Sequence, residues 1–486
     1  MMILFFIGAA FLLIVEGRFL ALFMTQGALQ KAEGWALGFP LGTAVNALLF
    51  YFFTISGAPL TALTVFGGHV VMLIVLGVFN HVIPGSPATA SIRPRPTPAG
   101  LELLPPPLLL RRAGSMTYRV LLILLAIATA ISLLYGIVHT FLPTFYYDSV
   151  SQWTMRAKIS FFDQHIAFDV DELRGMSKPQ YPILLHSLQI FFALAINNWS
   201  DLVANSAILI LNLTSFLAMS VLLLRNISKQ LVLLVLSTIL TIPILAYHLG
   251  QGYGDLSLLA YLLLAAVALV SSEEGKNTRM LLLASVMVGA ASFVKQEGLV
   301  FGLAPFTVLL LLLLQKNSWK PLLMFGFLPA MLLSLLWPIL LLSKGLPLSP
   351  HGGGDLAIAF HSEGVSEAFR VLFASGSFGV HWYIVIGLLV SVSLKLFYSS
   401  RSALLAPAFT EASAGRRRKP FILILLWGVM ILISALAIFL ATANVQYLLN
   451  GQTFSRTMMI PLALLLLGTL GLYAYTDDHE KTPQAS

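Results

Sequence analysis

Asp148, Gln152 and Arg156 stand at i, i+4 and i+8 within the segment Tyr146-Tyr147-Asp148-Ser149-Val150-Ser151-Gln152-Trp153-Thr154-Met155-Arg156-Ala157-Lys158. If residues 148–158 are helical, the acid, the amide and the cation share one face. At a membrane surface such a face can hold a hydroxyl acceptor beside an anionic group. The competing reading is an interfacial amphipathic helix anchored by Trp153, its charges merely solvated. From this stretch alone the two readings stand level.

Other polar residues carry the same double reading. Asp255 opens a span after Gly252-Tyr253-Gly254, where an acid is favoured by the helix dipole as a cap; it also offers a second carboxylate facing the Asp148 helix, able to orient a sugar hydroxyl. Lys295 and Glu297 lie between two apolar runs, where charges are costly and either pair structurally or line a cavity. Arg456, in Thr453-Phe454-Ser455-Arg456, is either a snorkelling interfacial arginine or a bidentate phosphate ligand. Lys178-Pro179-Gln180-Tyr181-Pro182 reads as a rigid turn leading into a helix over 183–197. His351, Gly352–Gly354, Asp355, His361 and Glu363 match no recognised ligand spacing. Asp163-Gln164-His165 and Asp169-Asp171-Glu172 offer oxygen ligands for a divalent cation, with a solvated loop as the plainer reading. No cofactor is firmly indicated, and a divalent cation is left open.

The chain narrows the chemistry further. It has no cysteine, so acid–base or nucleophilic groups must be carboxylates, histidines, tyrosines or hydroxyls. There is no Walker motif, Rossmann glycine fingerprint or HExxH helix, so chemistry driven by ATP or NAD has no support.

These residues are strung along 486 positions of which 58% are hydrophobic and only 10% charged, against a usual charged fraction of about 25%. A soluble core cannot hide that much apolar sequence. The leucine-rich runs have the length of membrane-crossing helices, and the alternation of barrel strands is absent. The fold class is therefore an all-α polytopic membrane protein. The formal charge of +8 sits largely in two basic loops and points to the cytoplasmic side of a membrane, not to nucleic acid.

In order, residues 1–82 hold three candidate spans (2–24, 36–56 and 60–80), the first interrupted by Glu16 and Arg18 and read as retained, not as a cleaved signal. Residues 83–117 are a proline- and arginine-rich cytoplasmic linker. Residues 118–476 form the main body, with spans at about 118–142, 201–224, 229–247, 255–271, 279–294, 298–315, 320–342, 379–398, 420–442 and 459–476, giving about 13 crossings in all. Residues 477–486 are a cytoplasmic tail. The loop 399–419, ending in Arg416-Arg417-Arg418-Lys419, is expected on the cytoplasmic side, consistently with the linker. This topology sends the Asp148 segment, Gly252–Asp255, Lys295–Gly298, the loop 344–378 and Gly451–Arg456 to one extracytoplasmic face. No repeat of 20–50 residues is evident.

The order of these motifs resembles that of bacterial GT-C glycosyltransferases, polytopic enzymes that use polyprenyl-phosphate-linked sugars and are related to the protein mannosyltransferase and aminoarabinose transferase families. The residues that carry the resemblance are Asp148 with Trp153, Ala157 and Lys158; Tyr181-Pro182; Tyr253 with Asp255; Lys295, Glu297 and Gly298; and Arg456 shortly before Pro461. It covers roughly residues 118–476 and leaves the N-terminal unit and the linker outside. The segment reads Tyr-Tyr-Asp-Ser where relatives often carry Trp-Asp-Ala, and it has no aspartate pair at Asp148, which puts a metal requirement in doubt.

The resemblance implies a GT-C-like bundle of about 11–13 helices in the inner membrane of a bacterium, and an inverting sugar transfer from a polyprenyl-phosphate donor to an acceptor hydroxyl of a lipid, glycan or protein. Asp148 maps to the base. Arg156, Lys158, Lys295 and Arg456 map to neutralisation of the leaving phosphate, with Gln152, Tyr181, Tyr253, Asp255 and Glu297 as further substrate-binding candidates. The alternatives are a transporter or flippase, which predicts charges at mid-span and broken helices in two related halves, and a non-catalytic subunit of an envelope polysaccharide system, which leaves the converging charged groups without a role.

Overall fold

The computed structural model describes residues 1–26, 28–82, 114–144, 147–169, 174, 176, 178–273, 275–315, 317–348, 358–403, 411–449 and 453–478. Residues 83–113 of the proline-rich linker, Tyr146, Asp171, Glu172, His351–Asp355 and Gly451 therefore lie outside the described residues, and residues 114–117, read as linker, open a helix. The described chain is an all-α membrane bundle. In order its helices are α1 (Met2–Thr25), α2 (Lys31–Ala36), α3 (Gly38–Ser56), α4 (Ala62–Val82), α5 (Gly114–Thr140), α6 (Met155–Asp163), α7 (Leu184–Ile196), α8 (Asp201–Leu223), α9 (Lys229–Leu240), α10 (Pro243–His248), α11 (Gly254–Ser271), α12 (Thr278–Val294), α13 (Leu299–Leu314), α14 (Trp319–Ser343), α15 (Glu363–Phe373), α16 (His381–Ala403), α17 (Glu411–Leu440), α18 (Val445–Leu449) and α19 (Thr453–Asp478). Among the described residues, nine of these are long and apolar enough to cross a membrane, and five more are apolar but shorter.

Helix α11 is the axis: every residue of its apolar stretch is buried, and α19 is nearly as enclosed. At the other extreme, α5 buries almost none of its apolar length, as suits a lipid-facing helix. Interhelical hydrogen bonds fix α11 where apolar packing alone would leave its rotation loosely set. Tyr261 Oη donates to Pro40 O at 2.7 Å, and Ser257 Oγ donates to Asn212 Oδ1 at 2.8 Å.

The N-terminal unit is fastened to the body and not merely tethered to it. Helix α1 runs unbroken through Glu16 and Arg18, because each finds a partner. Glu16 is fully buried and its Oε2 lies 2.7 Å from His69 Nδ1 on α4. His69 Nε2 meets Asn46 Oδ1 on α3 at 3.1 Å, and Asn46 Nδ2 donates to Ser187 Oγ on α7 at 3.1 Å. Arg18 stacks on Trp35 at 4.3 Å. The polar chain thus crosses from the first helices into the body. Close approach of α1 and α3 depends on Gly42, where an added Cβ would sit 2.0 Å from Leu13 O. At the other end of the unit Arg225 grips both carboxylate oxygens of Glu33, and Arg279 donates to Gln26 Oε1 at 2.7 Å.

Several boundaries differ from the sequence reading. The expected span at 229–247 is split: α9 stops at Leu240, and Pro243, which cannot donate to a continuing helix, opens the short α10. Helix α19 begins at Thr453, six residues before the expected 459, so Arg456 sits in its first turn and not in a loop. Helix α17 begins at Glu411, so the Arg416–Lys419 run is helical backbone and not loop.

Candidate functional site

The Asp148 segment is helical but not wound as expected. Residues Ser149–Thr154 form a π turn before α6 takes over at Met155. A π turn carries more residues per turn than an α-helix, so the i+8 position falls off the face of position i. Gln152 stays with Asp148, its Nε2 donating to Oδ1 at 3.2 Å. Arg156 does not. It points into the protein, fully buried, where Nε donates to Ala167 O at 2.9 Å, Nη1 donates to Tyr181 O, and the guanidinium stands 5.6 Å over Phe168 and 5.5 Å over Trp337. Burial pushes its pKa down to about 9, which leaves it charged at neutral pH. Arg156 is therefore a clamp holding the loop after α6 against the Tyr181 turn, and it does not share the Asp148 face. Lys158 is half-buried on α6 and makes no ion pair among the described residues.

The remaining sequence candidates converge at one end of the bundle in two ion clusters. In the first, Arg456 Nη2 donates to Asp148 Oδ2 at 2.6 Å, with the aspartate side chain 29% exposed and the arginine 10%. The guanidinium lies 4.6 Å over the Tyr253 ring, and its Nε is buried without a hydrogen-bond partner. In the second cluster Lys295 Nζ bridges Asp255 Oδ1 and Glu297 Oε1, both at 2.9 Å, and stands 5.9 Å over Tyr181. Burial alone would lower the Lys295 pKa, but the carboxylates of Asp255 and Glu297 outweigh it and hold the ammonium above its ordinary value. Burial, reinforced by the Glu297 charge, raises the Tyr181 phenol, so it stays protonated.

The aromatic wall behind these ions is set by the same segments. Trp153 is buried and packs on His186 at 5.2 Å and on Tyr181 at 4.9 Å. The Tyr181 turn is pinned through Gln180 O, which accepts from Trp337 Nε1 at 2.7 Å and from Gln296 Nε2 at 3.0 Å. Gly254 is required here: a Cβ would sit 2.9 Å from both Lys295 Cγ and the Trp153 ring. Only glycine lets α11 begin this close to both.

Asp148 and Arg456 open onto a cleft of about 730 Å³, lined also by Tyr135 of α5, Tyr147, Tyr247, His248 and Tyr253. His248 escaped the sequence reading. It ends the helix that Pro243 starts, five residues before Tyr253, and that proximity to the Gly-Tyr-Gly-Asp turn was the available signal. Burial, aided by the positive charge of Arg456, pushes its pKa down to about 3, so the imidazole is neutral.

A larger cavity of about 840 Å³ lies between the α3–α4 connection and the loop after α6, lined by Asp163, His165, Asp169, Arg174 and Lys344 among others, and shares no residue with the cleft. Its Asp163 and Arg174 pair with each other at 2.8 Å and are partly solvent-exposed. The smaller cleft, whose Arg456 is 10% exposed against 50% for Arg174, is the stronger chemical candidate. His361 and Glu363 pair at 3.1 Å at the start of the amphipathic α15. Among the described residues, no three His, Asp or Glu side chains gather as a metal cluster.

What the cleft offers chemically is one exposed carboxylate, one arginine with a spare N–H, aromatic walls and a neutral histidine. Lys295 is taken by two carboxylates and contributes no free charge. Neither a protein-family model, nor a curated protein, nor a solved structure matches this chain.

Proposed function

We propose that the chain is a glycosyltransferase of the GT-C type, moving a sugar from a polyprenyl-phosphate donor to an acceptor hydroxyl. The observation that carries the reading is the Asp148–Arg456 pair at the mouth of the cleft, a base and a phosphate ligand side by side. The acceptor oxygen attacks the anomeric carbon while the bond from that carbon to the phosphate oxygen breaks. The acceptor proton passes to Asp148, whose oxygens also accept from Gln152 and Arg456 and each keep a further lone pair, and the electron pair of the broken bond leaves on the polyprenyl phosphate. Arg456 offers its unpartnered Nε–H to that phosphate. The Asp255–Lys295–Glu297 cluster holds the start of α11 just after Tyr253 and sets Lys295 Nζ 5.9 Å over Tyr181. Both the cleft and the cluster stand at the end of the bundle that the sequence topology puts outside the cytoplasm.

Transport has one observation in its favour, the buried Glu16–His69 pair within the apolar helices α1 and α4. That pair lines neither the cleft nor the larger cavity and is closed off by Asn46 and Ser187, which suits a fastening better than a pathway.

The test is sugar release from a panel of polyprenyl-phosphate sugars by purified protein in lipid, wild type against Asp148→Asn. Turnover of at least one donor, falling by ~100-fold or more in the variant, is expected for loss of a general base. Wild-type turnover that survives the substitution moves the base elsewhere. Absence of both turnover and lipid binding ends the transferase reading.

A further inference from the structure

The cleft poses an electrostatic problem. Its lining holds one carboxylate, Asp148, and one cation, Arg456, paired with each other, while the neighbouring Asp255–Lys295–Glu297 cluster carries one more carboxylate than cation and leaves Lys295 fully engaged. An anionic phosphate entering beside Arg456 needs further stabilisation, and an uncharged donor is the kind that can be kept buried without a counter-ion.

His248 has the required position. It is buried, lines the cleft with Asp148 and Arg456, and is held by the short α10, whose Ile244 N donates to Ser377 O at 3.0 Å. Its ring meets Tyr253 edge-on, with centroids 4.5 Å apart, and the same tyrosine carries the Arg456 guanidinium. Histidine and arginine thus share one aromatic support. Neither ring nitrogen of His248 is hydrogen-bonded among the described residues, and Nδ1 is buried without a partner. Buried orphan N–H groups are rarer than empty acceptors. The tautomer with its hydrogen on Nε2 leaves Nδ1 as the empty acceptor and presents Nε2–H as a donor. The charged groups acting on it are Arg456 from α19, Asp255 from α11 and Lys295 from the end of α12, and burial together with the first of these keeps the ring uncharged.

We propose that His248 is an uncharged hydrogen-bond donor to the phosphate of the lipid donor, its Nε2–H completing with Arg456 a binding site for a singly charged phosphodiester. This rests on the transferase reading for the identity of the lipid, and on the cleft alone for the anion. The residue acts by contact with the leaving group and takes no proton from the acceptor, a task left to Asp148.

The experiment measures binding of farnesyl methyl phosphate to full-length protein in lipid nanodiscs, for wild type, His248→Gln and His248→Phe. Glutamine returns an amide N–H near the position of Nε2, so its affinity is expected within about threefold of wild type, while phenylalanine loses about tenfold, the worth of one hydrogen bond to a charged group. Wild-type affinity is expected to stay level between about pH 5.5 and 8, since the donor is neutral throughout. If His248→Phe fails to fold, His248→Asn serves instead, because its shorter amide reaches only the Nδ1 position, and the same loss is expected. Glutamine binding as poorly as phenylalanine, phenylalanine binding like wild type, or affinity that falls as pH rises each overturns the proposal. If the expected variant pattern appears but no polyprenyl-phosphate sugar is turned over, the anion site stands and the transferase reading falls. Wild-type protein that does not bind the phosphodiester overturns both.

Discussion

Replacing Lys295 by methionine isolates the buried ion cluster. Methionine keeps roughly the length of the lysine stem and removes only the charge. The lysine side chain is 8% exposed and its ammonium holds Asp255, 4% exposed, and Glu297, 37% exposed, at equal distances of 2.9 Å. The two carboxylates will respond differently. Glu297 can turn to water, and its share of the loss is at most about 1 kcal/mol, as for a surface pair. Asp255 has no such escape at the buried start of α11, and leaving one member of a buried pair alone costs about 3–5 kcal/mol. Lys295→Met is therefore expected to destabilise the fold by an amount set almost wholly by Asp255. Adding Asp255→Asn to the variant should recover most of the loss, because a neutral amide against methionine leaves no orphan charge. Adding Glu297→Gln should recover little. Denaturant unfolding in one mixed-micelle system, compared across the two double variants, reads the difference directly. Equal rescue by both second substitutions, or none by Asp255→Asn, refutes the assignment of the cost to Asp255.

Three further outcomes follow from the geometry. Asp148→Asn frees Arg456 from its carboxylate and so should tighten binding of a sugar-free polyprenyl phosphate by about fivefold, equivalent to about 1 kcal/mol, even as turnover collapses; weaker binding, measured by fluorescence quenching or titration, contradicts competition for the guanidinium. Gly254→Ala forces a methyl group to 2.9 Å from both Trp153 and Lys295 and should cost about 1–3 kcal/mol in thermal or chemical unfolding, as overpacking does. His248 gives a pH signature. Its pKa is about 3 in the fold and about 6.5 in the unfolded chain, so below about pH 6.5 the unfolded state binds a proton that the folded state refuses, and stability drops by up to about 1.4 kcal/mol per pH unit. His248→Gln removes that slope, so the variant should gain on wild type as pH is lowered from about 7 to 5; a stability difference that stays constant with pH argues against a buried neutral ring.

The sequence by itself determined the class of molecule. Apolar runs of membrane length, scarce charge and absent strand alternation leave only a helical bundle, because a backbone in hydrocarbon must satisfy its own hydrogen bonds. It also marked most of the candidate site: Asp148, Gln152, Tyr181, Tyr253, Asp255, Lys295, Glu297 and Arg456 stood out as polar groups beside apolar runs. Proximity to hydrocarbon makes each one costly, and the cost is visible in one dimension.

What only the tertiary structure decided is which of them meet. Asp148 and Arg456 are 308 positions apart and Asp255 and Lys295 are 40 apart, and no local propensity links either pair. Arg156 leaves the Asp148 face because a π turn at Ser149–Thr154, which residue spacing does not announce, intervenes. Glu16 read as an interruption because its partner His69 lies 53 residues away on another helix. His248 was passed over because a lone histidine carries no pattern. Its place beside Arg456 is fixed by a proline that ends one helix and starts another, and by the packing of that short helix against the body. Charge and hydrophobicity are properties of residues and can be read along the chain, whereas a site is a set of distances between segments, and those arise only when the helices pack.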